Sequence, residues 1–243
     1  MVTVLDASGQ QLAPCSPEKA HRLLAGGRAR LVSQDPMVIE LALVAALRSR
    51  RVRAESSPPG EGRSLLLHVC CGPCATYSIN RLRQMGFAVT GFWYNPNVHP
   101  FDEHERRREC ISSYAREVGL PMVWPEGYEA QAYFEAVAGH EARAERCAIC
   151  YRLRLGRTAQ VAKQRGFDAF STTLLISPYQ KQTLIRGIGE ELATQQGVEF
   201  CFENLRRGWG ERGRLAREHG LYQQQYCGCT YSEQEATERS RAR

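Results

Sequence analysis

Cysteine is the residue type with the most chemistry to offer in this chain. There are ten in 243 residues; five fall in two tight clusters and two more form a close pair. Cys70-Cys71-Gly72-Pro73-Cys74 follows an apolar run, Leu65 to Val69, and precedes a helical pattern. A helix N-terminus stabilises negative charge and lowers the pKa of a thiol, so three sulfurs placed there are suited to act as thiolates. Cys147-Ala148-Ile149-Cys150 has the i, i+3 spacing that puts two side chains on one helical face, within reach of a single ion or cluster. Cys227-Gly228-Cys229 sets two sulfurs on either side of a glycine that allows a tight turn. That pair could ligate metal or close a small, easily reduced disulfide. Thiolate-rich ligation suits zinc or an iron–sulfur cluster, and spacing alone does not choose between them. Cys201, in an alternating strand pattern, and Cys110, mid-helix, read as core residues; Cys15 belongs to a separate N-terminal segment.

From Ser64 onward the pattern alternates between strands and helices. Strands are expected at Leu65 to Val69, Phe87 to Tyr94, Met122 to Trp124, Ala169 to Leu175 and Val198 to Glu203. Helices are expected at Ala75 to Met85, Asp102 to Val118, Glu129 to Ala138, Cys147 to Arg165 and Lys181 to Gln195. Strands separated by helices of this length imply βαβ units and a parallel sheet. In an open α/β sheet, ligands bind outside the carboxyl ends of the strands, and Cys70 to Cys74 lies at such an end. Tyr94, Asn95, Asn97 and His99 follow the second strand; Thr172, Thr173, Ser177 and Gln180 follow the fourth. Histidine titrates near neutrality, which makes His99 a candidate proton donor, while His68, inside an apolar run, reads as a hydrogen-bonded core residue. Cys71-Gly72-Pro73-Cys74 also matches the active-site tetrapeptide of thioredoxin. Leu175-Ile176-Ser177-Pro178 is only a weak counterpart of that fold's cis-proline segment, however, and a thioredoxin would not need Cys70, Cys147 or Cys150.

Residues 1–47 form a small unit of their own, with a strand at Val2 to Leu5, a turn at Asp6 to Gly9, a helix at Glu18 to Ala25 and a strand at Val38 to Leu43. Its opening, and the Leu23-Leu24-Ala25-Gly26 helix end, resemble the RRXRR-like family. Residues 48–63 read as a linker with a basic start, Arg48, Arg50, Arg51 and Arg53. Such an arm could touch an RNA backbone. The formal net charge is +6, which fits an anionic partner without requiring one. The longest apolar-leaning run, Met37 to Leu47, is too short to span a bilayer, and no signal peptide opens the chain. A cytoplasmic protein with no membrane partner is expected.

"LLLHVCCGPC" (65–74), "GFWYNPNVHPFDEHERR" (91–107), "RCAICYRLRL" (146–155), "FSTTLLISPYQ" (170–180) and "YCGCTYS" (226–232) together resemble the QueH type of epoxyqueuosine reductase. The resemblance covers nearly all of residues 64–243. It implies a Rossmann-like α/β fold of the class shared with PP-loop ATPases, with cysteines where those enzymes carry a phosphate loop, so ATP is not expected. It implies two-electron reduction of epoxyqueuosine in tRNA, without cobalamin. The sequence offers no Gly-x-Gly-x-x-Gly site for NAD, which leaves an external electron donor. By the same resemblance Cys70, Cys71, Cys147 and Cys150 are the expected ligands of a [4Fe–4S] cluster. An additional iron is also implied, with Cys74 and the Cys227/Cys229 pair as available thiolates; that pair alternatively cycles as a redox-active disulfide. A tRNA-thiolating enzyme with a PP-loop and iron–sulfur cysteines is the nearest competing reading, and the missing phosphate loop counts against it.

Overall fold

The computed structural model describes residues 1–5, 9–26, 29–41 and 60–241. The turn at Asp6 to Ser8 and the basic linker with Arg48, Arg50, Arg51 and Arg53 lie outside the described residues. The chain divides into two compact units, Met1–Ser56 and Ser57–Arg243.

In the first unit, strands β1 (Val2–Leu5), β2 (Gln11–Cys15), β3 (Ala29–Gln34) and β4 (Met37–Leu41) form a sheet of order β2-β1-β4-β3, with helix α1 (Pro17–Ala25) between β2 and β3. The expected pairing of β1 with β4 is present and parallel. Two strands went unforeseen, β2 and β3, and both are edges. Pro14 sits within β2, where a missing donor is tolerated. Helix α1 starts where Ser16 accepts a hydrogen bond from Lys19 N, with Pro17 at the first turn. Val2, Val4, Cys15, Ala20, Ala29 and Ile39 make its small core.

The second unit is built on a wholly parallel five-stranded sheet of order β7-β6-β5-β8-β9, comprising β5 (Ser64–His68), β6 (Ala88–Phe92), β7 (Met122–Val123), β8 (Ala169–Thr172) and β9 (Glu199–Phe200). Strand β5 is central because Leu65, Leu66 and Leu67 are apolar toward both faces. Leu65 and Leu67 pack with α2 (Gly72–Gln84) and α3 (Phe101–Glu117), while Leu66 packs with α5 (Arg143–Gln164) and α6 (Gln182–Gln196). All three leucines are fully buried, as expected for a strand covered on both sides. The chain runs from β5 outward to β6 and β7, then crosses back to β8 and β9. The order reverses between β5 and β8, and the crevice at this switch point is where open α/β sheets bind ligands. This is the Rossmann-like architecture expected from the sequence.

Several boundaries differ from expectation for local reasons. Helix α2 begins at Gly72 rather than Ala75, because Cys71 is extended and its sulfur accepts a hydrogen bond from Cys74 N. Strand β8 ends at Thr172, whose hydroxyl accepts from Leu174 N and turns the chain into a short 3-10 helix, Thr173–Ile176. Helix α5 begins four residues before Cys147. Helices α4 (Ala130–Val137), α7 (Trp209–Glu218) and α8 (Thr230–Arg241) complete the unit; α8 has little apolar periodicity to announce it. Among the described residues no helix is long and apolar enough to cross a membrane.

The two-faced burial of β5 carries a stability expectation. Leu66→Ala should lower the unfolding free energy by about 2–5 kcal/mol, the usual cost of a buried leucine cavity. Urea unfolding followed by circular dichroism measures it; a change within about 0.5 kcal/mol would show that the strand tolerates the void.

Candidate metal centre

The carboxyl ends of β5, β6 and β8 deliver three loops to one place. After β5 the chain passes through Cys70 and Cys71 into the first turn of α2. The sulfurs of Cys70, Cys71 and Cys74 all lie within 4.8 Å of one another, with 3.8 Å between Cys70 Sγ and Cys71 Sγ. The 3-10 turn after β8 holds this loop from the other side. Cys70 N donates to Thr173 Oγ1 at 3.0 Å, and the Thr173 hydroxyl donates to Cys70 Sγ at 3.2 Å. From a distant segment, Gln224 Nε2 donates to Cys71 Sγ at 2.9 Å.

Three adjacent thiols cannot ionise independently. Hydrogen bonds from Cys71 and Cys74, aided by the Arg154 charge and Thr173, hold Cys70 well below the usual thiol pKa despite its burial. Burial and the Cys70 sulfur push Cys71 up. The sulfur–sulfur hydrogen bonds and burial do the same to Cys74. The trio therefore favours one thiolate stabilised by its protonated neighbours.

A cavity of about 590 Å³ opens beside the trio and is lined by Cys70, Cys74, Cys147, Cys150, Cys227 and Cys229. The three sequence-predicted cysteine groups thus meet at one site. Cys71 is buried behind the wall and reaches it through the trio. Cys147 and Cys150 lie in the second turn of α5, and burial raises both thiols, Cys150 to about 12 against the opposing pull of Arg154. All ten cysteines are unbridged. A sulfur-only donor set from three segments fits a soft or borderline metal centre such as zinc or iron–sulfur and suits no hard cation.

Cys227-Gly228-Cys229 is held by the loop after β6. Arg107, ion-paired with Glu103 at 2.8 Å, donates to the carbonyls of Cys227 and Tyr226. His99 N donates to Gly228 O at 2.8 Å, and Gly228 N donates to Ser232 Oγ. Gly228 has φ +145°, and a Cβ there would meet Asn97 Nδ2 and Val98 Cγ2 at 3.0 Å. Only glycine fits this backbone without strain.

The other sequence candidates fall into clear places. His99 does not line the cavity. Its ring stacks on Phe134 at 4.4 Å beside Tyr133, Nε2 faces Pro96 O at 3.0 Å, and burial lowers its pKa. Thr173, Ser177 and Gln180 line the cavity; Gln180 donates to Cys227 Sγ at 3.5 Å and accepts from the Tyr151 hydroxyl. Asn97 lines it too, with its carbonyl oxygen unpartnered. Helix α3 begins at Phe101, one residue before the expected Asp102, with Pro100 at its cap position. Cys201 is buried in the core with its thiol raised to about 12 by burial, and Cys110 is half-buried against Gly72.

Residues that sequence reasoning missed surround the cysteines. Arg154, one turn after Cys150, is fully buried. Its Nη2 donates to Asn95 Oδ1 at 2.8 Å, its Nε to His68 Nε2 at 3.3 Å, and its Nη1 to Cys150 Sγ at 3.8 Å. His68 is the satisfied core histidine expected, with Nδ1 at 2.8 Å from Thr172 Oγ1; burial, then the Arg154 charge, lower its pKa to about 3, so the ring is neutral. The i, i+4 spacing of Cys150 and Arg154 was the available signal. Arg146 ties α5 to Glu235 on α8 and lies over the Tyr231 ring. At the rim, exposed Tyr179 meets Trp209 edge-on at 5.9 Å, and Arg212 lies over the Trp209 ring at 4.1 Å.

An α/β protein with six cysteines lining one cavity at its sheet's switch point carries a thiol-rich candidate metal site. A family model described as epoxyqueuosine reductase QueH matches residues 65–235, and the chain belongs to that family of oxidoreductases. A QueH from Dehalococcoides mccartyi is 41% identical over 171 residues, covering 70% of this chain and 93% of the relative. One from Thermotoga maritima is 39% identical over 176 residues, covering 70% and 90%. A model described as RRXRR protein matches residues 2–56. Among solved structures, the U34-tRNA thiolase NcsA from Methanococcus maripaludis with its [4Fe-4S] cluster aligns with a TM-score of 0.49 at 13% identity, covering 81% of this chain and 71% of that one.

The backbone of Gly228 generates a test. Gly228→Ala should cost about 1–3 kcal/mol of stability from strain and loosen the Cys227 and Cys229 sulfurs from the cavity. Gly210→Ala, where nothing lies within 4 Å of the added Cβ, is the neutral control. Equal melting temperatures for the two variants would show that the turn accepts a side chain.

Proposed function

We propose that this chain reduces epoxyqueuosine in tRNA to queuosine. The observation that carries this reading is the convergence of Cys70, Cys74, Cys147, Cys150, Cys227 and Cys229 on one cavity, in a chain of the QueH family. Opening the epoxide and expelling its oxygen as water takes two electrons and two protons. No side chain in the cavity can supply both electrons unless a sulfur pair or a metal does so. Cys70, Cys71, Cys147 and Cys150 are the proposed holders of a [4Fe–4S] cluster, which would supply electrons one at a time from an external donor. Cys74 with Cys227 and Cys229 would hold a further iron, or Cys227 and Cys229 would cycle between dithiol and disulfide. No part is assigned to ATP, NAD or cobalamin.

The chain's own side chains define what the cavity can accept. Basic groups dominate its lining: Arg143, Arg146, Arg154, Lys181, Arg212 and Arg239 against a single acid, Glu235, already paired with Arg146. An electropositive mouth suits an RNA backbone. Tyr179 is 73% exposed, an unusual place for a large ring unless a base stacks on it, and Trp209 with Arg212 backs it. Ser177, Gln180 and Asn97 offer hydrogen bonds to the ring hydroxyls of the target base. His99 serves the proposal through its backbone, which holds Gly228.

Incubation of the anaerobically reconstituted chain with epoxyqueuosine-containing tRNA and dithionite, followed by mass spectrometry of the nucleosides, should show loss of one oxygen. Cys71→Ser and Cys150→Ser should lose iron and activity, whereas Cys201→Ser should keep both. An active, iron-replete Cys150→Ser enzyme would remove that residue from the ligand set. The Cys227→Ser/Cys229→Ser double variant separates their two roles: lost turnover at full iron content marks the disulfide, and lower iron content marks the second site.

Stacking on an aromatic side chain contributes about 1–3 kcal/mol per base. Tyr179→Ala should therefore raise the KM for tRNA by about 5- to 150-fold and leave the cluster spectrum unchanged. An unchanged KM would place the RNA elsewhere.

A further inference from the structure

Four arginines are buried in the reductase unit: Arg107, Arg146, Arg154 and Arg212. Arg107 is paired with Glu103 and Arg146 with Glu235, and Arg212 rests on the Trp209 ring at the cavity. Arg154 differs. It is 2% exposed, yet among the described residues no acidic side chain pairs with it. Its partners are the neutral Asn95 and His68 and the sulfur of Cys150. A guanidinium does not shed its proton in a protein, and a buried charge without an opposite charge is strongly unfavourable. Evolution rarely leaves such a group in place without an anion to answer it, and the only anionic candidates facing Arg154 are thiolates.

We propose that Arg154 is the fixed counter-cation of a thiolate–metal centre in this cavity, a positioning residue that balances the centre's negative charge and sets its reduction potential. This rests on the cofactor reading above. A Cys70 thiolate alone would answer the guanidinium with a single charge, whereas four cysteinate ligands on an iron–sulfur cluster would surround it with a larger net negative charge. Two further observations agree. Arg154 is one helical turn from Cys150 on the same face of α5, so the segment that supplies ligands also supplies the cation. Asn95, which orients the guanidinium, is itself anchored to Val69 O at 2.8 Å, one residue before Cys70. The cation is thus fixed to both ligand segments.

When the centre accepts one electron it becomes one charge more negative, and a cation held nearby favours that reduced state. Removing the charge should make reduction harder. The test compares the reconstituted wild-type chain with Arg154→Gln, Arg154→Met and Arg154→Lys, using spectroelectrochemical titration of the cluster absorbance and iron analysis. Both neutral variants should shift the ratio of reduced to oxidised centre at least about tenfold toward oxidised, roughly 59 mV for a one-electron couple, and lysine should restore most of it. Loss of iron from the folded Gln and Met variants with retention in Lys equally supports the proposal. Unshifted potentials in the neutral variants, or equal loss of iron in all three, would overturn it while leaving the cofactor reading intact. A wild-type chain that binds no iron would instead overturn the cofactor reading, and this inference with it.

Discussion

A guanidinium taken out of water must find its hydrogen bonds inside the protein, and the partners of Arg154 connect the parts of the site. Through His68 it reaches the end of the central strand, through Asn95 the loop after β6, and through Cys150 the helix that carries two of the cysteines. Buried polar networks are favourable only when every member is satisfied. Here each partner is also held from behind: His68 by Thr172, and Asn95 by Val69 O. The sulfurs therefore sit on elements whose relative positions are determined by hydrogen bonds in the core, and Gln180, held by Tyr151 and Cys227, extends that network toward the rim.

The chemistry of the site was legible in the sequence largely because it is concentrated in residue types with few bland uses. Paired cysteines at a strand end, at i, i+3 on a helix and around a glycine pointed to one sulfur site, and the structure brings all three groups to one cavity. The parallel sheet was equally readable, since Leu65, Leu66 and Leu67 are apolar toward both faces and alternate with helical patterns. What escaped was of two kinds. Helix α8 carries weak apolar periodicity because it buries little beyond Ser232 and is tied on by Arg146 and Glu235. The strands β2 and β3 are short sheet edges with mostly exposed side chains. His99 shows what sequence leaves open: a histidine near a predicted ligand edge invites a proton-transfer role, and in the structure its ring packs among aromatics while its backbone N–H reaches the cysteine loop. Residue type and proximity in sequence say nothing of which way a side chain turns.

The RRXRR-like unit has its own sheet and a small core of its own, and the residues matched by the two family models do not overlap. The thiol chemistry lies wholly within the second unit, where the five-stranded sheet gathers loops separated by more than 150 residues, as between Cys71 and Gln224.

The hydrogen bonds among Cys70, Cys71 and Cys74 bear on the order in which such a protein is made. The trio is not a set of orphaned groups: the Cys70 and Cys71 sulfurs lie 3.8 Å apart, Thr173 donates to Cys70 and Gln224 donates to Cys71. Because the six cysteines that line the cavity come from three distant segments, a nascent chain cannot assemble the site before the sheet has formed. A metal bound there, as proposed above, would enter a finished scaffold, displace protons from the sulfurs and release them to water. Such an exchange would proceed further as proton activity falls, so a mildly alkaline medium would favour loading the site.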